Sequence, residues 1–212
     1  MPLSDATLVL LGAYLLGGFC TGYYLVRWRL GRDIRELGSG STGARNAGRV
    51  LGAGGFTLTV LGDFGKGALA VWVARHLTLD DRLAGAALLG VVAGHVWPAQ
   101  LGWRGGKGAA TSLGGLLVLD PAGALLFAGV FAGMAGLTRK TVVSGLAAFA
   151  LAPLMAVFMG RAKWEVVVLT VLAVLVLAAH GKNLAEEAAQ LAGRQVAEPE
   201  ADKPLEQAHG NK

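Results

Sequence analysis

Three short segments gather the glycines, hydroxyls, basic side chains and imidazoles that can handle a phosphate group. The first runs Gly38-Ser39-Gly40-Ser41-Thr42-Gly43-Ala44-Arg45-Asn46 and on to Arg49. Closely spaced glycines let several backbone N–H groups face one anion, hydroxyls add donors, and arginine offers a planar fork matched to phosphate oxygens. A flexible linker also uses glycine and serine, but these form a tight connection between apolar runs and are interleaved with Arg45, Asn46 and Arg49. The second segment is Gly94-His95-Val96-Trp97-Pro98, followed by Trp103-Arg104-Gly105-Gly106-Lys107-Gly108-Ala109-Ala110-Thr111. A glycine run that opens a helix sets free N–H groups, the positive end of the helix dipole and Lys107 beside a bound phosphate. It is not a Walker A loop, which needs glycine where Leu101 stands and serine or threonine where Gly108 stands. Hydrolysis of ATP or GTP is therefore disfavoured.

The third segment is divided between Thr138-Arg139-Lys140-Thr141 with Ser144, and His180-Gly181-Lys182-Asn183. His180 and Asn183 are three residues apart and share a helix face, so both can reach one ligand. Asp63 and Lys66 have the same spacing inside an apolar run. A charge pair within a membrane is costly unless it is matched or functional, and this pair reads as structural. A lone histidine such as His95 is more often structural than catalytic. Cys20 is the single cysteine, so the chain forms no internal disulfide and has no cysteine-histidine metal spacing.

The elements that must carry these segments are membrane helices. Of the 212 residues 54% are hydrophobic and 16% charged, against roughly a quarter charged in soluble domains, and the mean hydropathy is +0.54. Thirty-three glycines suit helices whose backbones approach closely in lipid. The net charge of +5 and a pI near 9.7 come from basic residues scattered singly between apolar runs, which argues for topology rather than nucleic acid. The hydropathy pattern predicts about seven spans, at 7–26, 51–74, 83–98, 109–119, 122–137, 142–159 and 164–179. The fourth and fifth are short and turn at Asp120-Pro121; as a re-entrant pair they would reduce the count to five. Ten basic residues fall in loops placed inside and four, Arg75, Arg82, Arg161 and Lys163, in loops placed outside. That puts the N-terminus outside, and the C-terminus and all three segments on the cytoplasmic side. Residues 1–191 read as a single transmembrane domain and residues 192–212 as a polar, disordered cytoplasmic tail.

Together, GSGSTGARNAGR at 38–49, GHVWP at 94–98, WRGGKGAAT at 103–111 and HGKN at 180–183 resemble the bacterial acyl-phosphate:glycerol-3-phosphate acyltransferase family over nearly the whole chain. The fold this implies is an all-α polytopic bundle in the bacterial inner membrane. The activity implied is transfer of a fatty acyl group from acyl phosphate to the 1-hydroxyl of glycerol 3-phosphate, giving lysophosphatidic acid for phospholipid biosynthesis. By the resemblance, the family's phosphate-contacting serine and arginine fall on Ser39 and Arg49, its glycine-loop lysine on Lys107, and its terminal histidine and asparagine on His180 and Asn183. Ser41 and Arg45 stand where the family pattern has asparagine and threonine, and Ser144 is displaced from the usual spacing.

On that basis Ser39, Lys107 and His180 are the expected catalytic residues. Gly38, Gly40, Gly43, Asn46, Arg49, His95, Gly105, Gly106, Gly108, Ser144 and Asn183 are the expected binding residues. Ser39 and the 38–43 backbone are assigned to the acyl phosphate; Arg49, Lys107, Ser144, His180 and Asn183 are assigned to glycerol phosphate. His180, His95 or a substrate phosphate oxygen can take the hydroxyl proton. Acyl phosphate is an activated anhydride, so no metal or other cofactor is expected. The partners implied are the two substrates, membrane lipid and the enzyme that makes acyl phosphate, with no nucleic acid. A transporter for a phosphorylated solute is the alternative, but its site should lie near the midplane.

Overall fold

The structure, a computed structural model, describes residues 3–78 and 80–181 and is all-helical. Asn183 and the expected tail at 192–212 lie outside the described residues. The elements are α1 (Leu3–Gly18), α2 (Thr21–Leu30), α3 (Ala44–Thr78), α4 (Asp81–Val96), α5 (Ala109–Leu119), α6 (Pro121–Thr138), α7 (Thr141–Phe158) and α8 (Lys163–Ala179), with 3-10 turns at Ile34–Glu36 and Ala99–Leu101. Among the described residues four helical stretches are long and apolar enough to cross a membrane: α3, α4 with its following turn, α6 and α7. The bent α1–α2 pair makes a fifth. At 11 residues, α5 rises only about 16 Å, well short of a hydrocarbon core of about 30 Å. It is shielded by packing against α3, α4 and α6.

Two expected spans are corrected. The first was read as one helix from Thr7 to Val26, but the helix stops at Gly18, restarts at Thr21 with a bend of 41° and runs on to Leu30. A helix break at membrane depth leaves carbonyls without partners, which is tolerated only where protein satisfies them. Lys66 does so: its Nζ donates to the carbonyls of Gly17 at 2.9 Å and Phe19 at 2.8 Å. The same ammonium pairs with Asp63 Oδ1 at 3.0 Å and donates to His95 Nδ1 at 2.7 Å, while Thr21 Oγ1 donates to Asp63 at 3.0 Å. The expected structural pair thus stitches a broken helix to α3 and α4. The second correction is at α3, expected to begin near Leu51. It begins at Ala44 and kinks at Gly52, where φ is 71°, so Ala44, Arg45, Asn46 and Arg49 stand on a separate first helical segment rather than in a loop.

Glycine sets how closely the helices pack. A methyl group at Gly67 would overlap the Thr111 carbonyl, and one at Gly114 would overlap the Phe64 carbonyl, so α3 and α5 touch backbone to backbone. Gly17 against Val91 and Gly94 against Tyr14 do the same for α1 and α4. At the α5–α6 hairpin Asp120 accepts the Gly123 N–H at 3.0 Å and pairs with Arg161 at 2.6 Å, as a proline hairpin with an aspartate cap should. Between α6, α7 and α8 the core includes Phe127, Phe149 and Leu172.

Candidate active site

Asn46 organises the first glycine loop. It is 1% exposed, and its Nδ2 donates to the carbonyls of Leu37 and Ser41 at 2.9 Å and Ile34 at 3.2 Å. Its Oδ1 accepts the Ser39 N–H at 2.9 Å. Gly38 has φ 52° and Gly40 φ 69°, backbone conformations that disfavour other residues, and any side chain at Gly38 would collide with Asn46 Oδ1. The Gly40 N–H donates to Leu37 O at 3.1 Å and the Gly43 N–H to Ser41 Oγ at 3.2 Å. The glycines therefore shape the turn, and the N–H groups of Ser39, Gly40 and Gly43 already have partners within it. The Ser39 side chain is exposed at the loop surface, and Arg45 and Arg49 project from the helical segment that follows.

The second glycine loop is tied to the end of α4 in the same way. The Gly105 N–H donates to Val96 O at 3.1 Å and the Gly106 N–H to His95 O at 3.0 Å. Neither glycine has room for a side chain: one at Gly106 would enter the imidazole of His95, which is 3% exposed. His95, held by Lys66, is thus the surface on which the Lys107 loop rests. Arg35 joins the two loops, pairing with Asp33 at 2.6 Å and donating from Nη1 to the carbonyl of Leu101. Gly108, at φ 80°, turns the chain into α5, whose first residue Ala109 faces the cavity described next.

His180 sits just past the end of α8 and is 9% exposed. Its Nδ1 donates to the Val176 carbonyl at 2.8 Å, which fixes the tautomer and leaves Nε2 as the basic nitrogen. Burial pushes the imidazole below its ordinary pKa; the hydrogen bond to Val176 opposes this, while the charges of Lys107 and Arg45 act with it. Lys107, Arg45 and His180 therefore share one electrostatic neighbourhood. Arg45 and His180 also border an otherwise almost wholly apolar cavity of about 520 Å³ between α3, α5, α6 and α7, walled by Phe56, Phe64, Leu113, Phe131, Leu146 and Phe149 among others. Thr141, at the start of α7, borders the same end. Arg45 was not among the expected site residues; the basic character of the 45–49 segment was its only signal.

Ser144 is fully buried, and its Oγ is engaged locally, donating to Lys140 O at 2.9 Å and lying 3.0 Å from Thr138 Oγ1. It braces the α6–α7 turn, where Arg139 adopts φ 54°. The structure thus brings Arg45, His180 and Thr141 to the border of an apolar groove, with Lys107 near enough for its charge to act on His180. Asn46, His95 and Ser144 lie behind them as buried supports.

A membrane bundle with an apolar groove bordered by Arg45 and His180 has the shape and polarity of a membrane protein's site for an amphiphile with an anionic head. Comparison with known proteins narrows this. Residues 7–190 match the family model described as glycerol-3-phosphate acyltransferase. The chain is 52% identical over 84% of its length to glycerol-3-phosphate acyltransferase 1 of Desulfitobacterium hafniense, covering 88% of that protein. It is 41% identical over 87% of its length to a glycerol-3-phosphate acyltransferase of a Synechococcus species, covering 92% of it. Among solved structures it is similar to PlsY (YgiH), an integral membrane glycerol 3-phosphate acyltransferase crystallised in its glycerol 3-phosphate form. The TM-score is 0.81 at 30% identity, covering 91% of this chain and 94% of that one. The chain belongs to the glycerol-3-phosphate acyltransferase family and is a multi-pass membrane acyltransferase.

Proposed function

We propose that the chain transfers a fatty acyl group from acyl phosphate to the 1-hydroxyl of glycerol 3-phosphate, producing lysophosphatidic acid and inorganic phosphate at the cytoplasmic face of the bacterial cell membrane. The observation that carries this reading is the groove, apolar along its length and basic at one end. The acyl tail lies in the groove, and its anhydride head then meets Arg45, Lys107 and His180. Relatives named for glycerol 3-phosphate support the acceptor.

In the proposed step the 1-hydroxyl oxygen attacks the acyl carbonyl carbon, the bond from that carbon to the phosphate oxygen breaks, and the electron pair leaves with phosphate. Ser39 and Arg45 hold the donor phosphate; Arg49, Lys107 and Asn183 hold the acceptor phosphate. Lys107 also offsets the negative charge that grows on the carbonyl oxygen, a contribution available only in the transition state. The hydroxyl proton goes to His180 Nε2. A donor phosphate oxygen can perform the same task, and His180→Gln separates the two: loss of roughly a hundredfold or more is the size expected of a general base, and retained activity assigns the proton to phosphate. Asn46, His95 and Ser144 act through the backbone they hold. The enzyme that makes acyl phosphate is the functional partner.

The donor is tested by giving purified protein glycerol 3-phosphate with palmitoyl phosphate, palmitoyl coenzyme A or palmitoyl acyl carrier protein. Acylation from the phosphate alone is the expected result. Acylation from a thioester alone would overturn the donor assignment while leaving the family intact.

A further inference from the structure

Lys66 and Gly67 of α3 reach both flanks of Lys107, and neither borders the groove. Lys66 Nζ lies among four acceptors: the carbonyls of Gly17 at 2.9 Å and Phe19 at 2.8 Å, Asp63 Oδ1 at 3.0 Å and His95 Nδ1 at 2.7 Å. An ammonium has hydrogens to give and no lone pair, so Nδ1 accepts and the imidazole proton stands on Nε2. Lys66 and His95 are both buried, which holds the ring in one orientation. Its Nε2 edge lies against Gly106, where a methyl group would enter the ring. The His95 carbonyl accepts the Gly106 N–H at 3.0 Å and leaves no room for a side chain at Gly105. Lys107 is the next residue. On its other flank Gly67, the neighbour of Lys66, touches the Thr111 carbonyl in the first turn of α5.

The place of Lys107 therefore depends on contacts stacked in order: ammonium on imidazole, imidazole under Gly106, and Gly106 before Lys107. Closing the helix break does not by itself call for the imidazole. The two carbonyls and Asp63 would occupy all three N–H bonds of the ammonium, yet the shortest of its four contacts is the one to His95. Asp63 is fixed in turn by the Thr21 hydroxyl at 3.0 Å. We propose that Lys66 is a positioning residue for acyl transfer: by fixing the His95 ring it sets where the Gly105–Gly106 turn lies, and so where Lys107 is presented. This rests on the role given to Lys107 above.

The test is a double-mutant cycle on kcat/KM with Lys66→Arg, Lys107→Ala and the two combined, using palmitoyl phosphate and radiolabelled glycerol 3-phosphate so that residual turnover is counted. Arginine keeps the buried positive charge, but its planar fork does not serve acceptors spread around a single nitrogen, so the ring loses its seat. Misplacing a binding group by about 1 Å can cost roughly a hundredfold. Lys66→Arg is thus expected to lose about ten- to a hundredfold, with KM for glycerol 3-phosphate raised and KM for palmitoyl phosphate unchanged. In the Lys107→Ala background the same substitution is expected to cost at most about twofold, because the group it displaces is already gone. An equal loss in both backgrounds, or wild-type kinetics in folded Lys66→Arg, overturns the inference and leaves the cluster purely structural. If Lys66→Arg does not fold, His95→Asn takes its place in the cycle: the asparagine carbonyl accepts from Lys66, and only the ring edge under Gly106 is removed. If wild type uses a palmitoyl thioester instead, the cycle is run with that donor, so the donor reading fails alone; full activity in Lys107→Ala overturns the inference.

Discussion

In the proposed reaction Arg45, Lys107 and His180 meet the charge of a bound head group, while Asn46, His95 and Ser144 are buried supports that hold the surrounding backbone. For His180 the first role has a pH signature. Burial holds the imidazole below its ordinary pKa and the charges of Arg45 and Lys107 lower it further, so the ring is neutral and basic at pH 7. Activity should fall only as pH drops through that depressed value. Arg45→Gln removes one of the charges that lower it, so the acid limb of a kcat/KM profile should move to higher pH; no movement, or movement to lower pH, argues against His180 as the base. For Asn46 the second role predicts that alanine leaves up to three carbonyls and the Ser39 N–H unmatched, each costing about 1–3 kcal/mol if buried. Detergent melting should show the destabilisation, and kcat/KM should fall with it. The three segments were legible because phosphate chemistry restricts residue type. What their spacing did not reveal is that most of the glycine N–H groups are turned inward. Arg45 was passed over because it departs from the family pattern, and its position at the groove mouth depends on α5 and α8, far from it in sequence.

At the scale of elements, close glycine contacts and one buried ion cluster decide how the helices meet. Gly67→Ala or Gly114→Ala should push α3 and α5 apart at a cost of about 1–3 kcal/mol, the range for overpacking. Gly129→Ala, with open space around its Cβ position, should be neutral or stabilising by about 0.5–1 kcal/mol through helix propensity. Opposite signs at these sites, read as melting temperatures in detergent, are the check; equal behaviour would remove the packing explanation. Lys66→Met leaves Asp63 buried without its cation and frees the Gly17 and Phe19 carbonyls. Breaking a buried pair in this way costs about 3–5 kcal/mol, and loss of folded protein from membranes is the expected outcome. Helix identity was legible from hydropathy. The break at Gly18–Thr21 was not, because Leu16-Gly17-Gly18-Phe19-Cys20 is apolar throughout, and the lysine that makes the break tolerable lies almost fifty residues further on.

For the whole molecule, the basic loops predict that the groove mouth faces the cytoplasm. In a Cys20→Ser background, Arg104→Cys and Arg139→Cys should react with an impermeant maleimide only after the membrane is opened, and His76→Cys should react in intact cells; the reverse pattern inverts the orientation. In the proposed reading the bundle as a whole turns a lipid-facing groove into a reaction site, with the tail among helices and the charged groups at their ends. That joint requirement is tested most directly by giving the purified protein palmitoyl phosphate and glycerol 3-phosphate and following both products, with Lys107→Ala as the control. The account predicts that inorganic phosphate and lysophosphatidic acid appear in equal amounts with wild type, and that the folded Lys107→Ala protein makes little of either. Phosphate release without lysophosphatidic acid, or full activity in Lys107→Ala, would contradict it.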